Sequence, residues 1–331
     1  MNRPTEAIID LDLYKYTAAS AGEKRSIVVT HKASKKVKEF KTRTEFWGHH
    51  LKKSGGWLAE LNKTRTSPFM PDEFEIEDVQ TPDPIENILY TAKVMVEKDL
   101  ELSGAENYKA YLGEGDSFRV ERSTLLKYKD REHLIKPIHL NEVTEYLRKK
   151  FKAETVTGIE ADDKILIECY NNPNRFGMIE DKDFWGCPMY VWDRNQQERG
   201  IVNCNKYGKI FLDSKGKVRG EGRAFFYWQV AAQDDIDNYK ANCFSDVSWG
   251  EKSAYKALLN CKSDKEALQT LVDIYKKLYP EPKVVEGWKQ IEFEIDWLYV
   301  LTENFDMARM LRFDEDHVNV KDVLIKMGVE I

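Results

Sequence analysis

Short apolar runs alternate with helical patterns through much of the first half of the chain, and this order constrains the fold more than any other feature. We expect buried strands at Ala7–Asp10, Tyr108–Leu112, Ala153–Thr157 and Phe176–Ile179. Apolar residues at helical spacing follow Pro84, Asn141 and Gly158, which lie between these runs. Strands that alternate with helices are typical of an α/β fold with a parallel sheet.

The rest of the chain predicts a basic hairpin, an acidic loop and a helical C-terminal region. The hairpin strands are expected at Ile27–Val29 and Val37–Phe40. The segment from Pro71 to Tyr90 has seven acids and no base, and we expect its part before Pro84 to be a loop. After short strands between Met189 and Val218, helices are expected at Phe225–Ala232, Gly250–Leu259, Lys265–Tyr279 and Trp288–Leu311. We place a domain boundary between residues 222 and 223, which gives a sheet domain at 1–222 and a helical region at 223–331.

Acidic residues occur where the predicted strands and helices begin or end. They are Asp10, Glu160, Asp162, Asp163, Asp181, Asp183, Asp234 and Asp237. A single acid-x-acid pair carries no weight, because 57 acidic residues in 331 predict about ten such pairs by chance. Open α/β sheets hold their sites at the carboxyl ends of the strands, so we expect these carboxylates to meet there. An oxygen-only donor set indicates two Mg²⁺ ions, for which Mn²⁺ could substitute.

Basic residues are segregated along the chain, although the net charge is only −6. The segment from His31 to Met70 contains ten Lys or Arg against three Glu, and these bases include Lys35, Lys36, Lys52 and Lys53. Aromatic residues are interleaved with them. Cations for phosphates and flat rings for unstacked bases are typical of a nucleic-acid groove. The alternative is a solvated surface beside ordinary core aromatics.

Several classes of protein are disfavoured by the sequence. The longest apolar stretches run about five residues, whereas a membrane-spanning helix needs about twenty. The N-terminus offers no apolar segment of secretory length, so we expect no signal peptide and a cytoplasmic protein. Five cysteines without a C-x-x-C pair argue against structural zinc and against a disulfide framework. The motifs of serine hydrolases and of P-loop ATP-binding proteins are absent.

Eight short motifs follow one another in a fixed order. They are IIDLD at 8–12, FR at 118–119, YK at 128–129, KPIHL at 136–140, EADD at 160–163, DKDF at 181–184, DxxDN at 234–238 and WGEKSA at 249–254. This set resembles the flap endonuclease and 5′-to-3′ exonuclease family, and MARMLRF at 307–313 is similar to the ending of its short phage members. The resemblance implies a PIN-like parallel-sheet nuclease domain, followed by a helix-three-turn-helix region that grips duplex DNA.

The resemblance also implies roles for individual residues. All eight acidic residues named above match family metal-binding acids, with Asp234 and Asp237 completing the second site. Lys129 matches the family lysine that touches the scissile phosphate, and Arg119 matches the arginine of the FR pair. Arg131 lies one place before the family arginine of the YKGNR motif, and the resemblance implies a catalytic role for both arginines. A further family aspartate before the FR pair matches either Glu114 or Asp116, and this choice stays open.

DNA contacts are expected at two places. Gly250, Lys252 and Ser253 match the start of a helix that holds a DNA phosphate or a monovalent ion. Residues 20–105 exceed the usual connection in the family, and Lys35 and Lys36 in this insertion are candidate DNA contacts. The insertion is also a candidate surface for a replication-protein partner.

The sequence therefore predicts a Mg²⁺-dependent 5′-to-3′ exonuclease or flap endonuclease that hydrolyses DNA, and RNA in RNA/DNA hybrids as a further substrate. We expect it to serve phage DNA replication in the cytoplasm of an infected bacterial host. One alternative is a non-catalytic DNA-binding scaffold in a replication complex. Another is a single-strand ribonuclease of the related small nuclease fold, which would not need the helical region.

Overall fold

The computed structural model describes residues 3–49, 55–131 and 134–331. The strands in these ranges are β1 (Glu6–Asp10), β2 (Glu23–His31), β3 (Val37–Phe40), β4 (Phe74–Pro82), β5 (Asn107–Ser117), β6 (Glu154–Gly158), β7 (Arg175–Ile179), β8 (Tyr190–Asp193), β9 (Val202–Asn203), β10 (Lys209–Leu212), β11 (Val218–Glu221), β12 (Gln233–Asp234), β13 (Tyr239–Lys240), β14 (Lys283–Glu286) and β15 (Glu292–Ile295). The helices are α1 (Leu11–Ala21), α2 (Arg43–Trp47), α3 (Trp57–Asn62), α4 (Ile85–Ser103), α5 (Phe118–Arg122), α6 (Leu140–Lys150), α7 (Ala161–Cys169), α8 (Arg223–Ala231), α9 (Glu251–Leu258), α10 (Asp264–Leu278), α11 (Trp297–Ala308) and α12 (Val320–Lys326). Lys52 and Lys53, two of the predicted basic residues, lie outside the described residues.

The predicted α/β fold with a parallel sheet is confirmed. In the described ranges, six strands pair in the order β6-β5-β1-β7-β8-β9, and all are parallel except β9. Ala7, Ile8 and Ile9 of β1 are buried, as the continuous apolar run of a central strand requires. Helix α7 packs against β1, β5 and β7. Parallel pairing therefore brings the carboxyl ends of β1, β5, β6 and β7 to one edge of the sheet.

The chain forms two compact units. The first comprises Met1–Leu13, Met95–Leu134 and Leu147–Ile331, and it contains the parallel sheet. The second comprises Tyr14–Val94 and Ile135–Tyr146. The domain boundary between residues 222 and 223 stays a prediction.

The second unit contains an antiparallel sheet in the order β3-β2-β4. An aromatic core packs against it, in which Phe46 is fully buried and its ring centroid lies 5.3 Å from those of both Phe40 and Phe74. Lys35 and Lys36 lie exposed in the turn between β2 and β3, where Lys35 has a φ of +55°. The predicted basic hairpin is confirmed, and burial of its apolar side chains against Phe46 holds it together.

Two predicted elements were wrong. The acidic segment before Pro84 was expected as a loop, but it contains β4, which pairs with β2 along its whole length. Phe74 is buried and Ile76 partly buried, so the alternation of apolar and acidic residues dominates over the acidic composition. The helix expected at Trp288–Leu311 begins at Trp297, because the residues before it form the β14–β15 hairpin.

The helical region is built around α8. Its Phe225 and Trp228 rings stack at 5.2 Å, and it packs against α9, α10 and α11. The Tyr275 hydroxyl of α10 donates to the Val230 carbonyl over 2.6 Å. The short β12–β13 hairpin connects α8 to the segment before α9. None of the helices in the described ranges has the length and apolar character needed to span a bilayer.

Candidate active site

The carboxyl edge of the sheet carries acidic residues from three of its strands, β1, β6 and β7. Asp10 is the last residue of β1, and its carboxylate accepts a hydrogen bond from the Asp12 amide over 2.7 Å. Glu160 follows β6 and precedes α7, and Asp162 lies in the first turn of that helix. Asp181 follows β7, and its carboxylate accepts from the amide of Asp183 over 3.0 Å. These turns hold the carboxylates at the strand ends, where the sequence predicted them.

A second source of acidic residues is the β12–β13 hairpin. One carboxylate oxygen of Asp234 accepts from the amides of Ile236 and Asp237, over 2.8 and 3.0 Å. Asp234 is buried, and this turn fixes the position of Asp237 three residues later. The helical region thus adds two carboxylates to those of the sheet.

The carboxylates at this edge influence one another electrostatically. Burial raises the pKa of Asp162 well above its ordinary value, and the negative charges of Asp10 and Asp181 add to the rise. Burial and Asp181 likewise raise the pKa of Asp183. We call these residues, with three others, the acidic cluster: Asp10, Glu160, Asp162, Asp181, Asp183, Asp234 and Asp237. Burial also raises the pKa of Asp237 to about 6.

Two lysines neutralise part of the acidic cluster. Lys129 Nζ lies 2.5 Å from Glu160 Oε1 and 3.8 Å from Asp237 Oδ1. Lys182 Nζ lies 2.6 Å from Asp234 Oδ2 and 3.7 Å from Asp183 Oδ1. Burial lowers the pKa of each ammonium, but the neighbouring carboxylates raise it more, so both pKa values lie above the ordinary value. Both lysines therefore stay charged at neutral pH.

Lys129 is held at the cluster by its backbone as well as by its side chain. Its amide donates to the Asp237 carbonyl over 3.2 Å, and its φ of +49° is in the left-handed region, which is unfavourable for a lysine. The Asn238 side-chain amide donates to the Lys127 carbonyl over 2.9 Å. Arg131 lies on the same loop, 3.6 Å from Asp237 Oδ1, and its side chain is exposed. The loop thus places two basic side chains beside the cluster.

Asp163 and Arg119 do not join this arrangement in the way the sequence suggested. They form a buried pair in which two guanidinium nitrogens donate to the two carboxylate oxygens over 2.7 and 2.8 Å. Burial raises the pKa of Asp163, but the charge and hydrogen bonds of Arg119, together with hydrogen bonds from the Leu311 and Glu160 amides, lower it more. Arg119 is 2% exposed, so it has no surface on which a substrate could bind. Its remaining link to the cluster is a 3.4 Å contact with Glu160.

The other predicted residues lie outside the acidic cluster. Glu114 and Asp116 are both exposed near the end of β5, and Glu114 lies 3.5 Å from Arg148. In the part of the chain that the structure describes, no hydrogen bond or ion pair joins either of them to the cluster. Gly250 precedes α9, whose exposed Lys252 and half-buried Ser253 lie in its first turn. Lys35 and Lys36 belong to the second unit.

Three residues at the cluster were not singled out from the sequence. The Tyr128 hydroxyl donates to Glu160 over 3.0 Å, and the Gln229 amide donates to Asp183 over 2.5 Å. Lys182 is the third. Tyr128 and Lys182 occur inside the YK and DKDF motifs and could have been found there, whereas Gln229 lies on an apolar helix with no motif to mark it.

The donor set of the cluster suits a hard divalent cation. All of its ligating atoms are carboxylate oxygens, and the raised pKa values of Asp162 and Asp183 report negative charge that a cation would neutralise. Within residues 3–49, 55–131 and 134–331, no three Asp, Glu, His or Cys side chains are grouped as a ready-made metal site. The two ammonium groups supply the positive charge in this arrangement.

Comparison with known proteins adds a structural likeness. No family profile and no curated protein matches the chain. Two solved structures of the D15 protein of bacteriophage T5 are similar to it, each at 15% identity and covering 72% of this chain. The first, co-crystallised with metal ions, has a TM-score of 0.45 and is covered over 90% of its length. The second is a flap endonuclease variant described as a pseudo-enzyme-product complex with DNA and metal ions, with a TM-score of 0.41 and 88% of its length covered.

Proposed function

We propose that this protein is a divalent-metal-dependent nuclease that hydrolyses phosphodiester bonds of DNA from a 5′ end or flap. The observation that carries the proposal is the acidic cluster with Lys129 and Arg131 beside it, at the carboxyl edge of a parallel sheet. Carboxylates that hold cations, next to basic side chains that hold a phosphate, are what phosphodiester hydrolysis requires.

The carboxylates that act on Asp162 and on Asp183 overlap only in part. Asp10, Asp181 and Glu160 raise the pKa of Asp162, whereas Asp181, Asp237 and Asp234 raise that of Asp183. We propose that Asp10, Glu160, Asp162 and Asp181 hold one Mg²⁺ and that Asp183, Asp234 and Asp237 hold another, with Mn²⁺ as a substitute. Such ions supply charge neutralisation and activation of water in phosphodiester hydrolysis.

The protein's own cations position the substrate. Lys129 and Arg131 lie on one loop and face Asp237 at 3.8 and 3.6 Å, so a phosphate near that carboxylate is within reach of both. A fixed cation at the reacting phosphate stabilises the charge that develops there, without reorganisation during the reaction. Tyr128 orients Glu160 by donating a hydrogen bond to it.

DNA is held by surfaces outside the cluster. We propose that the first turn of α9, with Gly250, Lys252 and Ser253, binds a backbone phosphate through its amides and its lysine. We propose that Lys35 and Lys36 supply further phosphate contacts from the second unit. RNA in RNA/DNA hybrids, a replication-protein partner on the insertion and a role in phage DNA replication extend this proposal.

Cleavage assays test the proposal. Duplex and flap DNA labelled at the 5′ or the 3′ end is incubated with the protein in Mg²⁺ or EDTA, and the products are resolved on a denaturing gel. We expect Mg²⁺-dependent release of the 5′ label as nucleotides or short oligonucleotides. Asp181→Ala should abolish this release while DNA binding persists. Asp273→Ala, which changes an exposed aspartate of α10, is the control and should cleave normally.

Two results would contradict the proposal. Cleavage by Asp181→Ala at the parental rate would remove the acidic cluster from the reaction. DNA that is bound but stays intact in both Mg²⁺ and Mn²⁺ would instead favour the non-catalytic scaffold.

A further inference from the structure

The segment after α11 folds back on itself around one buried carboxylate. Asp316 accepts hydrogen bonds from the backbone amide and the side chain of Arg312, over 3.0 and 3.1 Å, and it also pairs with the guanidinium of Arg309. Arg309 donates in addition to the Asp316 carbonyl over 2.7 Å. We call residues 309–316 the C-terminal strap. It contains most of the MARMLRF motif, to which the proposed nuclease activity assigns no role.

The strap contacts the buried Asp163–Arg119 pair through its backbone. The Leu311 amide donates to Asp163 Oδ1 over 2.9 Å, and the Arg309 carbonyl accepts from Arg119 over 2.7 Å. Met310, between these two residues, lies with its sulfur 3.4 Å from that of Cys187. Backbone contacts of this kind depend on the path of the strap and not on which side chains it carries.

Asp163 has no lone pair to offer to a metal ion. Its two oxygens accept four hydrogen bonds, from two nitrogens of Arg119, from the Leu311 amide and from the Glu160 amide, over 2.7 to 3.1 Å. A carboxylate has about four acceptor positions, so this set fills them. Asp163 is also completely inaccessible to solvent.

We infer that Asp163 is a positioning residue, through which the C-terminal strap sets the geometry of Glu160 and Asp162. The inference rests on the proposed metal-dependent nuclease. Asp163 binds the Glu160 amide directly, Arg119 contacts the Glu160 carboxylate at 3.4 Å, and Asp162 precedes Asp163 in the same helical turn. Groups that orient metal ligands in this way commonly change metal affinity or activity by about 10- to 100-fold when they are removed.

Asp163→Asn tests the inference directly. It keeps the size of the side chain, but it places an amide against Arg119. We expect the kcat for DNA cleavage to fall about 10- to 100-fold with KM for DNA unchanged. We also expect weaker binding of Mn²⁺, measured by calorimetry on the protein without DNA, with the parental number of bound ions. A purely structural role would lower the melting temperature and leave Mn²⁺ affinity and kcat per folded molecule unchanged.

A second variant changes the strap at a residue that does not contact Asp163. Asp316→Asn weakens the closure of the strap without touching Glu160, Asp162 or Asp163, so it remains informative if Asp163→Asn fails to fold. We expect the same direction of change in kcat and Mn²⁺ affinity, but a smaller one. Asp322→Asn on α12, in the first turn of that helix beyond the strap, is the matched control and should match the parent.

Three results would overturn the inference. Loss of one bound Mn²⁺ in Asp163→Asn would make Asp163 a ligand. Unchanged Mn²⁺ affinity in both variants, in folded protein, would leave Asp163 and the strap with a structural role only. An equal effect of Asp322→Asn would show a general charge effect. If the parent bound Mn²⁺ but cleaved no DNA, the proposed function would fail, while the positioning role would still be decided by the binding data.

Discussion

Lys182 offers a quantitative test of the acidic cluster. Its ammonium lies 2.6 Å from Asp234 and 3.7 Å from Asp183, in the group of carboxylates proposed to hold the second cation. A cation bound there would be repelled by the ammonium. We therefore predict that Lys182→Gln binds a divalent ion more tightly than the parent, although it loses a positive charge that helps to stabilise the metal-free protein.

The magnitude follows from the geometry. Two unit charges about 4 Å apart interact by roughly 1 kcal/mol in water and roughly 4 kcal/mol at an effective dielectric constant of 20. The Lys182 side chain is 38% exposed, so the lower part of that range applies. A divalent ion doubles the effect to about 2 kcal/mol, which corresponds to about 30-fold tighter binding. The melting temperature without metal should fall.

Calorimetric titration of Mn²⁺ into the DNA-free protein measures this affinity, and thermal unfolding in EDTA measures the loss of stability. Lys164→Gln is the control, because Lys164 pairs with Glu168 on the same helix and lies outside the acidic cluster. Its Mn²⁺ affinity should equal that of the parent. Unchanged or weaker binding by Lys182→Gln would refute the reasoning, because it would show that the Lys182 ammonium does not repel the bound cation.

Three further changes have defined outcomes. Because burial raises the pKa of Asp237 to about 6, from an ordinary value of about 4, this carboxyl binds more protons in the folded metal-free protein than in the unfolded chain between these values. Its contribution to the free energy of unfolding should fall as pH rises through this window, and Asp237→Asn should remove that contribution, measured as the difference between the two proteins in urea unfolding at each pH. Phe46→Ala should cost about 3 to 5 kcal/mol in the stability of the second unit, followed by urea unfolding, because Phe46 is fully buried among aromatic rings. Replacing Lys35 and Lys36 with Ala should reduce the slope of log affinity for duplex DNA against log salt concentration by about 1.8, if each contacts one phosphate.

Each of these changes has an outcome that would contradict its reasoning. An Asp237→Asn protein with the parental pH dependence would assign the dependence to another group. A loss below about 1 kcal/mol for Phe46→Ala would mean that the site collapses around the cavity. For the lysine pair, the control is alanine at Lys276 and Lys277, which are exposed at the end of α10. An equal change of slope in both double variants would indicate a general charge effect.

The parallel sheet could be predicted because its strands have recognisable local sequence patterns. β1 is a continuous apolar run, as expected for a central parallel strand that is buried on both faces. The sequence therefore predicted both the strand and the acidic residue at its end. β4 was not predicted, because the acidic composition of this segment obscures the alternation of apolar and acidic residues at its start. In the structure Glu75 and Glu77 are exposed and alternate with Phe74 and Ile76, which contribute to the aromatic core.

The role of Asp163 could not be predicted in the same way. Asp162 and Asp163 are the same residue type in adjacent positions, and the distinction between them comes from groups distant in sequence. Arg119 is 44 residues from Asp163, and the Leu311 amide is 148 residues from it. A motif places two aspartates at the start of the helix. Only the tertiary contacts determine which carboxylate is fully hydrogen-bonded and which can still bind a metal ion.

The position of β1 in the sheet has a consequence for biosynthesis. β1 is the central strand between β5 and β7, yet Glu6 pairs with Asn107 on one side and with Arg175 on the other. At translation rates of about 5 to 20 residues per second, roughly 10 to 30 s pass before both partners have been made. During that time an apolar strand with two open edges is exposed to other chains. We therefore expect newly made protein to depend on chaperones more than its final stability would suggest.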